Sequence, residues 1–433
     1  MIKALLAAAF AVAAISCHTP APATSGGAAV QAEAINVTET RRIESVLASD
    51  EMQGRKPGTP GIEKAASFIA DEFRKAGLQT FDTLRTYRQE FELRHPRHLA
   101  TEVVIEGDTA SKNVVVITQQ ETVSINPSSK FEVVRITASQ QLFQEARRYV
   151  ASGRNLLVVV DTAHRKNFQR LAGFRRPAFA SGGTQAFVLA QSVPLDFSIN
   201  SHHKVSTVHM ANVVGVLPGR SARNEYVIFS GHYDHLGIGK PSAEGDSLYN
   251  GANDDAAGTT AVIMLAKYFS KARNNERTLV FVAFTAEESG GFGSEYFSKQ
   301  LEPAQIVAMF NIEMIGTQSK WGAMSAYITG FEKSDMGATM QRTVEGSGFR
   351  FYPDPYPSQK LFYRSDNATL AALGVPAHTI STAKMNDEPF YHSPDDEIET
   401  LDLENMTAVI RAIARSAVSI VSGKATPTRI RPE

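Results

Sequence analysis

His232 and Asp234 stand two residues apart just after the apolar run Tyr226–Phe229, in a stretch that opens at Gly231 and closes on the acidic pair Asp254 and Asp255 between Gly251 and Gly258. An imidazole and several carboxylate oxygens offered together are the donor mixture that suits zinc. The pattern recurs further along the chain. Glu287 and Glu288 follow the apolar run Thr278–Phe284 and precede Gly290, Gly291 and Gly293; Glu313 interrupts the run Phe310–Ile315; His392 lies between Tyr391 and Ser393. A carboxylate buried without a partner is costly, so Glu313 in its apolar setting calls for a cation nearby. This donor set suffices for two metal ions that share one bridging carboxylate, the arrangement in which hydrolases hold metals about 3.5–4 Å apart. A serine nucleophile has no support, because no Gly-x-Ser-x-Gly turn is present.

These residues need elements to place them. Tyr226–Phe229 and Thr278–Phe284 read as buried strands, so the charged residues after them emerge at strand carboxyl ends, where open α/β sheets build their sites. Residues 260–272 read as a helix with Ala261, Met264, Leu265, Tyr268 and Phe269 facing the sheet, and 401–421 as a long closing helix. Near the amino end, Ile43, Val46 and Leu47 recur at helical spacing. After the loop 54–61, a second helix carries Ala65, Ala66, Ile69, Phe73 and Ala76 on one face and stops at Gly77. Between about 95 and 205 the helical signal thins to short β-rich runs, Val103–Ile105, Val114–Ile117 and Leu156–Val160, with a helix at 142–149, so this segment reads as an inserted β-rich domain. His202 and His203 at its end read as solvated surface.

The chain resembles the M28 family of zinc peptidases, over residues 38–87 and 205–422, through the His232/Asp234 stretch, the Asp254/Asp255 and Glu287/Glu288 pairs, Glu313, His392 and the early loop Gly54, Arg55, Gly58, Thr59, Pro60, Gly61. The resemblance implies a mixed β-sheet flanked by helices, of the zinc-exopeptidase type, with an inserted domain like the protease-associated domain of relatives. It implies two zinc ions held by His232, Glu288 and His392 as terminal ligands, Asp254 as the bridge and Glu313 as the remaining ligand. Glu287 becomes the general base, and Asp234 orients His232. Asp255 is left with a local role in a turn or helix cap. Tyr391 is a candidate oxyanion donor, with packing as the alternative. The chain departs from the pattern at Glu313, where many members have Asp, and at Asn367, where many carry His after Ser-Asp. The activity implied is that of a metallo-aminopeptidase acting on peptides, with a carboxypeptidase, a glutaminyl cyclase or a non-catalytic binding protein as alternatives.

The formal net charge of -1 offers no basic field for nucleic acid. Lys3 and the short apolar residues 4–15 read as a signal peptide, and Cys17, the single cysteine, resembles the lipobox position of bacterial lipoproteins. The expected organisation is a lipoprotein signal peptide at 1–17, a flexible tether at 18–37, catalytic segments at 38–94 and 206–424 around an insert at 95–205, and a tail at 425–433. A lipid anchor at Cys17 then places the protein in the bacterial cell envelope, with no internal disulfide available.

Overall fold

The structure, a computed structural model, describes residues 34–109, 111–180 and 182–431. Residues 1–17, read above as a lipoprotein signal peptide with Cys17 at its end, lie outside the described residues. In chain order the framework comprises α1 (Val37–Leu47), α2 (Pro60–Lys75), β1 (Arg88–Ile105), β2 (Val114–Ile117), β3 (Glu132–Ile136), α3 (Leu142–Ala151), β4 (Leu156–Val160), β5 (Gln185–Leu189), β6 (Phe197–Leu217) and β7 (Ala222–His232). It continues with α4 (Ala257–Ala272), β8 (Arg277–Phe284), α5 (Phe292–Ser298), β9 (Ile306–Ile312), β10 (Ser325–Ile328), α6 (Met336–Val344), β11 (Arg350–Pro353), α7 (Asn367–Ala372), β12 (Ala377–Ser381) and α8 (Leu403–Val421).

A mixed sheet runs in the order β11-β10-β12-β9-β7-β8-β6-β1. Its centre is parallel: β7 pairs with β8 and β9, and β9 with β12, all in the same direction. Every residue of β8 and of β9 is buried, as expected of parallel strands with both faces covered. Phe229 lies at the middle of this centre, its ring stacked on Phe269 at 5.3 Å, Phe281 at 5.4 Å and Phe310 at 5.0 Å, which locks β7, β8, β9 and α4 together. Burying one such side chain contributes about 1.5–3 kcal/mol. Helix α4 crosses so close that a Cβ on Gly258 would stand 2.1 Å from the Ile312 carbonyl oxygen. Helix starts follow local chemistry: Asn36 Oδ1 accepts from Glu39 N, Pro60 opens α2, and Asp402 caps α8, which therefore starts at Leu403.

Residues 34–37, the end of the stretch read as tether, are ordered against the body. Ala34 and Ile35 are buried, and Arg411 Nε donates to the Ile35 carbonyl. The insert has its own sheet, β2-β5-β4-β3. β1 and β6 form a long antiparallel ribbon that leaves the main sheet and continues into the insert, pairing from Val213–Arg88 out to Phe197–Ile105. His203 is not surface, as expected from its polar loop, but 4% exposed. Its register on the ribbon sets it beside His98, with rings 5.4 Å apart.

Candidate metal centre

Parallel register decides which side chains meet. His232 is the last residue of β7, opposite Phe284 of β8, and Ser230 lies opposite Asn311 of β9. The residues just past β8 and β9, Glu287 with Glu288 and Glu313, therefore rise at the same sheet edge as His232. Three backbone turns at this edge hold non-glycine residues in the left-handed region: Ala286 before Glu287 (φ 59°), Met314 after Glu313 (φ 51°) and His392 itself (φ 53°). Such conformations cost about 1–3 kcal/mol each and persist where the surroundings dictate them.

Asp254 arrives from above the sheet on the segment that precedes α4. Asn253 N and Asp254 N donate to the Asp396 carboxylate at 2.8 and 3.0 Å, and Ala252 N donates to the Asp396 carbonyl at 3.0 Å. From behind, the buried Arg55 donates to the carbonyls of Leu47, Tyr233, Asn250 and Gly251. The two adjacent acids face opposite ways. Asp254 points into the cleft, whereas Asp255 accepts from the amides of His232 (3.1 Å), Gly258 (2.9 Å) and Met314 (3.0 Å), tying β7, α4 and the end of β9 together.

His232 Nε2 lies 3.2 Å from Asp254 Oδ1, and His392 Nε2 lies 3.3 Å from Asp254 Oδ2 and 3.2 Å from Glu288 Oε2. Ligands at about 2.0–2.1 Å on a tetrahedral ion stand roughly 3.3 Å apart, so these spacings fit cation ligation. The donor chemistry agrees. His232 Nε2 and Glu313 Oε2 are buried with no aligned hydrogen-bond partner, and His232, Asp254 and Glu313 form one cluster of mutually close donor atoms, with His235, Asp254 and Glu288 a second. The acids around the two imidazoles favour positive charge there. The Asp254 and Glu288 carboxylates push His392 up to about 10. Burial opposes a charge on His232, yet Asp254 and the neighbouring acids raise it well above the ordinary histidine value.

Glu287 makes no ion pair among the described residues; its amide donates to Asp234 Oδ1 at 3.1 Å and its side chain lines the cleft. Burial first, and then the negative charges of Glu313, Asp366 and Glu288 against the opposing His232, raise its carboxyl pKa well above the ordinary range. Asp234 is fully buried, and its carboxylate stands 3.8 Å from His232 Nδ1, while its backbone carbonyl is nearer, at 3.1 Å. It thus touches the His232 ring and the Glu287 backbone together. Tyr391 lines the same cleft, 39% exposed and stacked on His392 at 3.9 Å. Asn367 faces inward. It donates to Phe362 O and Ala377 O and accepts from Thr379 Oγ1, which leaves nothing of it for the cleft.

Sequence reasoning passed over three contributors. Arg55 holds the carbonyls of Asn250 and Gly251 ahead of Asp254, Asp396 holds the amides of Asn253 and Asp254, and His235 stands 2.9 Å from Glu288. Only His235 carried a usable signal, being a ligand-type side chain three residues from His232.

Residues 212–417 match Peptidase family M28. A probable leucine aminopeptidase of Trichophyton verrucosum is 28% identical over 204 residues, covering 45% of this chain and 53% of that protein. Aminopeptidase YwaD of Bacillus subtilis is 22% identical over 240 residues, 51% and 47% of the respective chains. The chain thus spans about half the length of the curated relatives it matches. The fold is similar to that of an aminopeptidase from Aneurinibacillus sp. strain AM-1, with TM-score 0.54, 17% identity and coverage of 94% and 98% of the two chains. It is equally similar to that of a zinc aminopeptidase from Bacillus subtilis, with TM-score 0.54, 17% identity and coverage of 92% and 98%.

Proposed function

We propose, for a chain whose residues 212–417 are those of peptidase family M28, the hydrolysis of amino-terminal peptide bonds by a zinc-dependent aminopeptidase. The observation that carries this reading is the convergence of His232, Asp254, Glu288, Glu313 and His392 at one sheet edge, with Asp254 between the two imidazoles at 3.2 and 3.3 Å. His232, Asp254 and Glu313 would hold one zinc ion and Glu288 and His392, with Asp254, the other. The names of relatives, zinc aminopeptidase and leucine aminopeptidase, support the metal and the bond attacked. Zinc, when bound, supplies the Lewis acidity that lowers the pKa of water toward about 7 and offsets negative charge on the attacked carbonyl.

The chain's own residues do the rest. Glu287, which lines the cleft beside Glu288 and makes no ion pair among the described residues, takes a proton from the attacking water and returns it to the leaving amine. Asp234 holds the backbone of Glu287 and the edge of His232 in one register. Tyr391 stands beside His392 with its hydroxyl available to the oxyanion. The cleft, about 120 Å³, is lined by the carboxylates of Asp254, Glu287, Glu288 and Glu313, by Arg364, and by Met314, Tyr327, Leu361 and Met385, which suits a positively charged amino terminus followed by an apolar side chain. Exported protein carries these residues to peptides outside the cytoplasm, anchored through acyl chains at Cys17; among the described residues no helix is long and apolar enough to cross a membrane.

The test is a panel of aminoacyl, amino-blocked, carboxy-terminal and N-glutaminyl substrates, each with and without a chelator. Chelator-sensitive release of free amino-terminal residues supports the reading. Release from the carboxyl end, cyclisation, or no turnover at all overturns it.

A further inference from the structure

His235 belongs to neither the five expected ligands nor the expected catalytic set, yet it is buried at 1% exposure against both Glu288 and His392. Its Nδ1 stands 2.9 Å from Glu288 Oε1, its ring packs edge-on against His392 at 5.8 Å, and its backbone amide donates to the Arg55 carbonyl. Gly251 leaves room for the ring: with φ of 57°, a Cβ there would also fall 2.5 Å from the imidazole. Glu288 is therefore divided between two histidines, Oε2 at 3.2 Å from His392 Nε2 and Oε1 at 2.9 Å from His235 Nδ1.

Two roles compete for His235, a ligand in its own right or a support for Glu288. The distances separate them. His392 Nε2 is 3.3 Å from Asp254 Oδ2 and 3.2 Å from Glu288 Oε2, both close to the edge of a tetrahedral zinc site. His235 Nδ1 is 4.0 Å from Asp254 Oδ2, beyond that edge, but at hydrogen-bond distance from Glu288 Oε1. Neither atom makes an aligned hydrogen bond, to the other or to a third group, so the 2.9 Å approach of His235 Nδ1 to Glu288 Oε1 is an ion-pair contact that no other partner competes for.

We propose that His235 is a positioning residue for the metal site of Glu288 and His392: the 2.9 Å contact of its Nδ1 with Oε1 of Glu288 fixes that carboxylate so that Oε2 alone is presented to the zinc. This rests on the two-zinc reading above. Partners of ligating carboxylates typically change metal affinity by about 10–100-fold when removed.

The experiment measures stepwise zinc affinity by competition with a chromophoric chelator, for wild type and for His235→Ala, His235→Asn, His392→Ala and Glu288→Gln. His235→Ala is expected to weaken, by about 10–100-fold, the same binding step that His392→Ala abolishes, and to leave the other step unchanged. His235→Asn, whose amide nitrogen reaches the Nδ1 position, restores most of that loss and also shows that the fold survives the change. Added to Glu288→Gln, the alanine substitution has little further effect, because its partner is already altered. Two wild-type steps with neither shifted in His235→Ala overturn this proposal alone, as does a His235→Asn protein as impaired as His392→Ala, which makes His235 a ligand. A single wild-type step overturns the two-zinc reading and this proposal with it.

Discussion

Glu287 and Glu288 are adjacent in sequence and differ in what they touch: Glu288 lies within 3.2 Å of both neighbouring imidazoles, and Glu287 makes no ion pair among the described residues. The account therefore expects their isosteric amides to fail differently. Glu287→Gln keeps its metal and fold and loses at least about a hundredfold in turnover, the size of a general base; Glu288→Gln loses metal. Elemental analysis alongside kinetics checks this, and a reversal of the two results would reassign the pair. The pairs of acids were legible in the sequence because glycines and apolar runs flanked them. Which role each member takes came only from the family resemblance and not from pattern, since it depends on how the backbone turns at Ala286 and between Asp254 and Asp255. The same limit hid His235, whose role exists only because the loop after β7 returns it to Glu288.

At the scale of elements, the strands and helices of the centre followed from continuous apolar runs and helical periodicity, and their parallel register brought distant residues to one edge. What sequence pattern does not express is the support between elements. Asp396 pairs with the amides of Asn253 and Asp254 across the cleft. Asp396→Ala leaves both amides unpaired in a buried place, so unfolding in urea should show a loss of about 2–5 kcal/mol together with weaker metal retention; unchanged stability would mean that the Asp254 turn holds itself. His203 gives the β1–β6 ribbon a pH dependence. Burial first, then the positive fields of His98, Arg175 and His202, lower its pKa from 6.5 to about 4. The unfolded chain takes up the proton more readily, so stability is intact above about pH 6.5 and declines as pH falls toward 4. His203→Phe keeps an aromatic edge against His98 and removes the proton. Its urea midpoint should fall less than that of wild type between pH 7 and pH 5, and parallel declines would remove His203 from the account.

The whole molecule joins the insert to the site through aromatic contacts. Phe179 of the insert packs edge-on against Phe292 at 5.7 Å and lies beside Tyr296 at 6.1 Å, both on α5, the helix that follows the Glu287–Glu288 turn, and Lys299 Nζ lies 4.8 Å above the Phe179 ring. At the other end, ordered packing begins by Ala34 and Ile35, which sets the carboxyl limit of any tether from Cys17. Lipidation at Cys17 predicts that Cys17→Ser leaves the membrane fraction or accumulates as precursor with its catalytic residues intact. A wild-type amino terminus mapped downstream of Cys17 and free of lipid would defeat the anchor. The central claim, however, is the pair of metal sites that share Asp254. Zinc content of the purified enzyme, measured together with turnover as metal is withdrawn and restored, tests it most directly. The account predicts about two zinc ions per chain and hydrolysis that disappears on chelation and returns with zinc; one metal per chain with full activity, or turnover indifferent to chelation, would contradict it.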